Sequence, residues 1–243
     1  VILPISGSDP TRVTGADIDA DGAIDLIVVR RTMDEVSWYR NTDGAGTFGT
    51  KQTIDSSVDG VWDVFAADLD GDGDVDVLAG GQLDDTVVWF ENDPSDTGAK
   101  GTFGPKQVIT SSADFLQGVF AADLDADGDL DVLSTSQADN KVAWYENTDG
   151  AGTFGSQQVI ATSSDIEQGI SAADLDGDGD VDILSGALVG TTVGWFENDP
   201  SDTGTKGVFG TEQAISTLAT GAASLSAVDL DGDGDLDVIS ASH

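Results

Sequence analysis

The chain has no cysteine, one methionine, one histidine (His243) and only nine basic residues among 243. Without cysteine there is no disulfide framework and no thiolate metal site. With no internal histidine, catalytic-cysteine pairing or phosphate loop, the usual constellations of nucleophilic catalysis are missing, and catalysis by this chain is not expected. Nine Lys and Arg against 46 acidic residues leave a formal charge of −37, which excludes nucleic acid as a partner, since phosphate binding depends on basic side chains. All four arginines (Arg12, Arg30, Arg31, Arg40) fall near the start, a clustering read mainly as an end effect. No apolar run is long enough to cross a bilayer, so membrane insertion is not expected. Apolar residues do not recur at helical spacing, so almost no helix is expected. No secretory leader is legible, and Val1 reads as lying within a strand, as in a processed chain.

Aspartate and glycine are abundant, and they are ordered. The pattern D-x-D-x-D-G-x-x-D occurs five times, over 17–25, 68–76, 123–131, 174–182 and 229–237. Carboxylates at positions 1, 3, 5 and 9 converge on a hard cation, the glycine at position 6 permits the tight turn, and position 7 is expected to give only its carbonyl oxygen. The candidate ligands are Asp17, Asp19, Asp21, Ala23 and Asp25 in the first loop, and Asp68, Asp70, Asp72, Asp74 and Asp76 in the second. They continue with Asp123, Asp125, Asp127, Asp129 and Asp131, then Asp174, Asp176, Asp178, Asp180 and Asp182, then Asp229, Asp231, Asp233, Asp235 and Asp237. Calcium, about one per repeat and up to five, fits such an oxygen cage better than magnesium, which resists losing its waters. Isolated Asp-Gly clusters are ordinary solvated turns, but five copies in register are not.

An EF-hand is excluded. Its twelfth position needs glutamate and its flanks need helices, whereas position 12 here is Val28, Ala79, Ser134, Ser185 or Ser240. The flanks are short apolar runs rich in β-formers, so the loop joins two strands.

First aspartates stand 51, 55, 51 and 55 residues apart. Twenty-one residues after each of the first four comes a tryptophan (Trp38, Trp89, Trp144, Trp195), and later a Phe-Gly pair at Phe48, Phe103, Phe154 and Phe209. Each repeat so holds four strand candidates, for example within 64–69, 75–79, 86–91 and 106–109, the content of one propeller blade. Ala66-Ala67, Ala121-Ala122 and Ala172-Ala173 suit a crowded first strand. The linkers beginning at Asn41 and Asn147 are identical, and those at Asn92 and Asn198 nearly so, so the copied unit is a pair of 106 residues.

Strand, acidic loop, strand and Phe-Gly turn together resemble the FG-GAP or VCBS-type repeat, the calcium-binding blade also found in the propeller of integrin alpha subunits. The resemblance covers nearly the whole chain. It implies an all-β propeller with a calcium in the loop between the first two strands of each blade, in secreted or cell-surface proteins. Ala20 and Ala126 depart from the glycine at position 4. The expected architecture is a single β-propeller domain over 1–243, five-bladed or part of a six- to eight-bladed ring: blade 1 at 12–56, blade 2 at 61–111, blade 3 at 116–162, blade 4 at 167–217 and a partial blade 5 at 222–243. A strand at 1–5 would complete the last or the preceding blade.

The expected function is adhesion or recognition of an extracellular protein or carbohydrate, with calcium structural. The alternatives are an accessory propeller of a polysaccharide-active enzyme and a self-associating surface or filament module. Millimolar extracellular calcium fills sites of modest affinity, which cytosolic calcium would leave empty. The aromatic pairs Trp38-Tyr39, Trp89-Phe90, Trp144-Tyr145 and Trp195-Phe196 would stack on sugars if exposed, but strand alternation favours a core role.

Overall fold

The computed structural model describes residues 10–95, 97–162, 167–187, 190–201 and 203–242. The strand expected over 1–5 lies outside them. The described residues form eighteen strands and a single turn of 3-10 helix at Arg31–Met33.

Each repeat folds as a meander because its apolar runs are short and separated by Asp-Gly and Asn-containing turns. Blade 1 is β1 (Arg12–Ala16), β2 (Asp25–Arg30), β3 (Glu35–Tyr39) and β4 (Gln52–Asp55); blade 2 is β5 (Val61–Ala67), β6 (Asp76–Gly81), β7 (Thr86–Phe90) and β8 (Gln107–Thr110). Blade 3 is β9 (Leu116–Ala122), β10 (Asp131–Ser136), β11 (Lys141–Tyr145) and β12 (Gln158–Thr162); blade 4 is β13 (Glu167–Ala173), β14 (Asp182–Ala187), β15 (Val193–Phe196) and β16 (Gln213–Ser216). A two-stranded sheet of β17 (Ala222–Val228) and β18 (Asp237–Ser242) follows. Strand order within every sheet follows chain order, and the pairings are antiparallel. Register is copied from blade to blade: a bulge falls on the third strand at Val36/Ser37, Val87/Val88, Val142/Ala143 and Val193/Gly194.

The chain divides into two compact units, Val1–Val119 and Phe120–His243. In the first, Ile27, Val29 and Trp38 of blade 1 pack against Val77, Ala79, Val88 and Phe90 of blade 2. In the second, Leu133, Val142 and Trp144 pack against Ile183 and Phe196. A neighbouring cluster joins Leu184 and Val193 to Ala222, Leu225 and Val238. Stacked sheets bury both faces, which is why β6, β10 and β14 are buried along their whole length rather than alternating. The repeated aromatic pairs belong to this core. Trp38, Trp89, Trp144, Tyr39, Phe90, Tyr145 and Phe196 are all buried, so these seven offer no stacking platform for sugars. Trp195 is partly exposed and lines a cavity of about 380 Å³ with Leu175, Ile215, Leu236, Asp237 and Val238.

Candidate metal centres

Each acidic loop connects the first strand of a sheet to the second, as its flanks predicted. Its curl is fixed by its own carboxylates. The first aspartate accepts a hydrogen bond from the backbone N–H of the position-6 glycine in every copy: Gly22 to Asp17 at 2.9 Å, Gly73 to Asp68 at 3.0 Å, and Gly128, Gly179 and Gly234 to their equivalents at 3.1 Å. The N–H of position 7 donates to the carboxylate of position 5 in all five, at 2.8 to 3.0 Å. Position 6 has φ between 87° and 101°, a left-handed backbone that glycine adopts without strain. Position 4 is left-handed as well, and there Ala20 and Ala126 stand at φ 56° and 62°.

Three carboxylates converge in each loop, with one oxygen from each within 4.8 Å of the others. They are Asp17, Asp19 and Asp25; Asp68, Asp70 and Asp76; Asp123, Asp125 and Asp127; Asp174, Asp176 and Asp182; and Asp229, Asp231 and Asp237. Positions 1, 3 and 9 so meet in four loops, and positions 1, 3 and 5 in the third. Asp21, Asp72, Asp178 and Asp233 at position 5, and Asp131 at position 9, stand outside these groups. Asp74 and Asp180 at position 7 instead form ion pairs with Lys100 and Lys206, which suits a position expected to supply only its carbonyl. Ala23, Asp129 and Asp235, the other position-7 residues, also lie outside the clusters. Asp19 Oδ1 and Asp123 Oδ1 are buried without a hydrogen-bond partner. Buried, partnerless carboxylate oxygens beside two further carboxylates fit a hard cation that takes only oxygen ligands.

The ninth aspartate is the most constrained. Its Oδ2 accepts from the N–H of position 2, as for Leu69 to Asp76 at 2.9 Å and Leu124 to Asp131 at 3.0 Å. Its Oδ1 accepts from the N–H of an asparagine that opens the linker: Asn41 to Asp25 at 2.7 Å, Asn92 to Asp76 and Asn147 to Asp131 at 2.8 Å, and Asn198 to Asp182 at 2.9 Å. Burial pushes these carboxyls up despite the two N–H donors: Asp76 to about 8, Asp131 to about 7 and Asp182 to about 6. Asp25 is raised for the same reason, and Asp70 reaches about 6. A divalent cation is the natural counter-charge for such a site.

That asparagine went unweighted in the sequence, although it recurs 24 residues after each of the first four leading aspartates. Its Nδ2 donates to the carbonyl of position 8, for example Val75 at 3.0 Å and Val181 at 3.1 Å. It also bridges to the phenylalanine of the Phe-Gly pair, as Asn41 to Phe48 and Asn92 to Phe103, and the following glycine N–H donates across the same neck, Gly104 to Glu91 O at 2.8 Å. The Phe-Gly turn therefore closes a linker that is stitched to the acidic loop through one side chain. For two of these asparagines the stitch extends further. Asn92 Nδ2 also donates to Ile18 O at 2.9 Å, and Asn198 Nδ2 to Leu124 O at 2.7 Å, each reaching the acidic loop of the preceding blade.

The arginines are individually paired, not a patch. Buried Arg30 donates to Glu35 at 2.8 Å and to the Tyr39 hydroxyl at 2.9 Å, Arg12 meets Asp63 at 3.4 Å, and Arg31 lies 5.4 Å over the Trp62 ring. Arg40 is the exception in location, since it sits on the first acidic loop.

Four-stranded antiparallel sheets in series, each with an acidic loop after its first strand, define an all-β protein of the β-propeller class. Residues 17–79 and 123–185, just over half of the chain, match the pattern described as the FG-GAP-like repeat. The chain belongs to the FG-GAP-like repeat family. Among curated proteins none matches it. Among solved structures it is similar to an Agrocybe aegerita lectin described for specific recognition of non-reducing terminal N-acetylglucosamine, at 24% identity and TM-score 0.57, covering 84% of this chain and 51% of the lectin. It is also similar to an exo-beta-1,3-galactanase from Phanerochaete chrysosporium, at 12% identity and TM-score 0.54, covering 86% and 50%. The biofilm matrix protein Bap1 of V. cholerae follows at 20% identity and TM-score 0.46, covering 78% and 26%. The chain spans about half the length of the first two proteins and about a quarter of the third. No helix among the described residues is long and apolar enough to cross a membrane.

Proposed function

We propose that this chain is a non-catalytic recognition module of a secreted or cell-surface protein, with one structural calcium in each acidic loop and the blades divided as the repeats divide them. The observation that carries the reading is the wiring of the loops. A cluster of three carboxylates recurs in all five loops, and in the first four blades the ninth aspartate is tied to the linker asparagine. An ion there braces the junction of two strands and the Phe-Gly linker. The proposed ligands are Asp at positions 1, 3, 5 and 9 of each loop and the carbonyl of position 7, including that of Ala23. Five divalent ions would bring the formal charge from −37 to −27, still unsuited to anionic partners.

Carbohydrate is the first ligand class to test, because two similarly folded proteins are a lectin and a galactanase. The same likeness supports the second reading, an accessory module of a polysaccharide-active enzyme. The surface that would bind sugar lies outside the buried aromatic pairs. A glycan array probed in calcium and again after chelation tests the proposal, with calcium-dependent hits expected. Calcium binding without hits on glycan or extracellular-matrix protein arrays would leave only the self-associating structural module.

A further inference from the structure

Loop 1 differs from the other four in charge rather than in fold. Arg40 Nε lies 2.6 Å from Asp19 Oδ2, and its Nη2 lies 2.8 Å from Asp21 Oδ2. Both partners are candidate calcium ligands, at positions 3 and 5. The residue at the place of Arg40, directly before the linker asparagine, is Glu91, Glu146 or Glu197 in the next three blades. Glu91 and Glu146 are close enough to act electrostatically on Asp70 and Asp125, adding negative charge where Arg40 removes it. The basic residues of the even blades behave differently. Lys100 and Lys206 engage Asp74 and Asp180 at position 7, whose carboxylates stand outside the converging groups. Loop 1 also has Ala23 at that position. Four aspartates and Arg40 thus give loop 1 a formal charge of −3, against −5 for loop 2 with five aspartates, Glu91 and Lys100.

We propose that Arg40 makes loop 1 the weakest calcium site of the five, filled only when its guanidinium leaves Asp19 and Asp21. The inference rests on the calcium reading above. Arg40 is 49% exposed, so it is free to swing into water. While bound, it takes lone pairs that a calcium ion needs. A unit positive charge about 5 Å from a divalent ion weakens binding roughly tenfold even with the screening of bulk water. Loop 1 would then load last, and the first blade would be the part of the fold most sensitive to a fall in calcium.

The position-6 glycine amides report each loop separately. Backbone amide resonances of Gly22, Gly73, Gly128, Gly179 and Gly234 would be followed by NMR while calcium is added to the metal-free full chain, its Arg40→Gln variant and its Ala23→Asp variant. In the unaltered protein Gly22 is expected to shift only at calcium concentrations at least about tenfold above the others, or not at all while they respond. In Arg40→Gln the gap closes. Gly22 moving together with the other four in the unaltered protein would overturn the proposal, as would a gap that persists in Arg40→Gln or closes only in Ala23→Asp. Silence at all five amides would overturn the calcium reading itself, and this inference with it.

Discussion

At the residue scale, the ninth aspartate of each loop does two separable things. Asp76 holds the N–H groups of Leu69 and Asn92, while its neighbour Asp72 at position 5 is a proposed ligand with no such tie to the strands. Asp76→Ala leaves two N–H groups without their acceptor and should cost about 2–4 kcal/mol even in chelator. Asp72→Asn should leave the chelated melting temperature within about 1 °C of the parent and reduce only the gain that calcium brings. Melting both variants with and without calcium checks the division of labour, and equal losses in chelator would contradict it. Position 4 gives a second test. Ala126 holds φ 62°, where a Cβ is unfavourable, so Ala126→Gly should stabilise the fold by about 0.5–1 kcal/mol in denaturant titration.

At the scale of elements, the linker of blade 2 packs on the blade before it. Gly101 has φ 81°, and a Cβ there would stand 2.7 Å from Cζ2 of Trp38 in the preceding blade, whereas Gly98, with φ 76°, faces open space. Gly101→Ala should therefore cost about 2–4 kcal/mol, from overpacking plus backbone strain, and Gly98→Ala only about 1–2 kcal/mol. Equal effects in urea unfolding would argue against the linker packing on Trp38. The strands were legible beforehand because apolar runs and Asp-Gly punctuation carry their own signal: the run expected over 86–91 covers β7, Thr86–Phe90, and that over 75–79 overlaps β6, Asp76–Gly81. The motif predicted convergence of positions 1, 3, 5 and 9, and three of these four meet in each loop: 1, 3 and 9 in four loops, 1, 3 and 5 in the third. The asparagine joint was not, because its role depends on an aspartate sixteen residues earlier. Nor was the pairing of each arginine, which depends on neighbours set by the sheet, as with buried Arg30 between Glu35 and Tyr39.

For the whole molecule, acidity and calcium should pull stability in opposite directions. Asp76, Asp131 and Asp182 have folded values of about 8, 7 and 6, raised by burial, so the metal-free fold binds protons that the unfolded chain has already released. Their stabilising contribution is present below the ordinary carboxylate value near pH 4 and is lost as pH rises through about 6 to 8. The metal-free protein should accordingly melt higher at pH 5 than at pH 8. The calcium-loaded protein should show the reverse, because the ligands must be deprotonated to bind. Melting curves at the two pH values, with and without calcium, would refute this if both forms followed the same trend.

Calcium in the acidic loops is proposed to hold the blades together. The direct measurement is the melting temperature at pH 7.5 in millimolar calcium and after full chelation. At a hundredfold excess over Kd each occupied site contributes about 2.7 kcal/mol, so with several sites filled, chelation should lower the melting temperature by at least about 10 °C. A melting temperature unchanged by chelation would contradict the account.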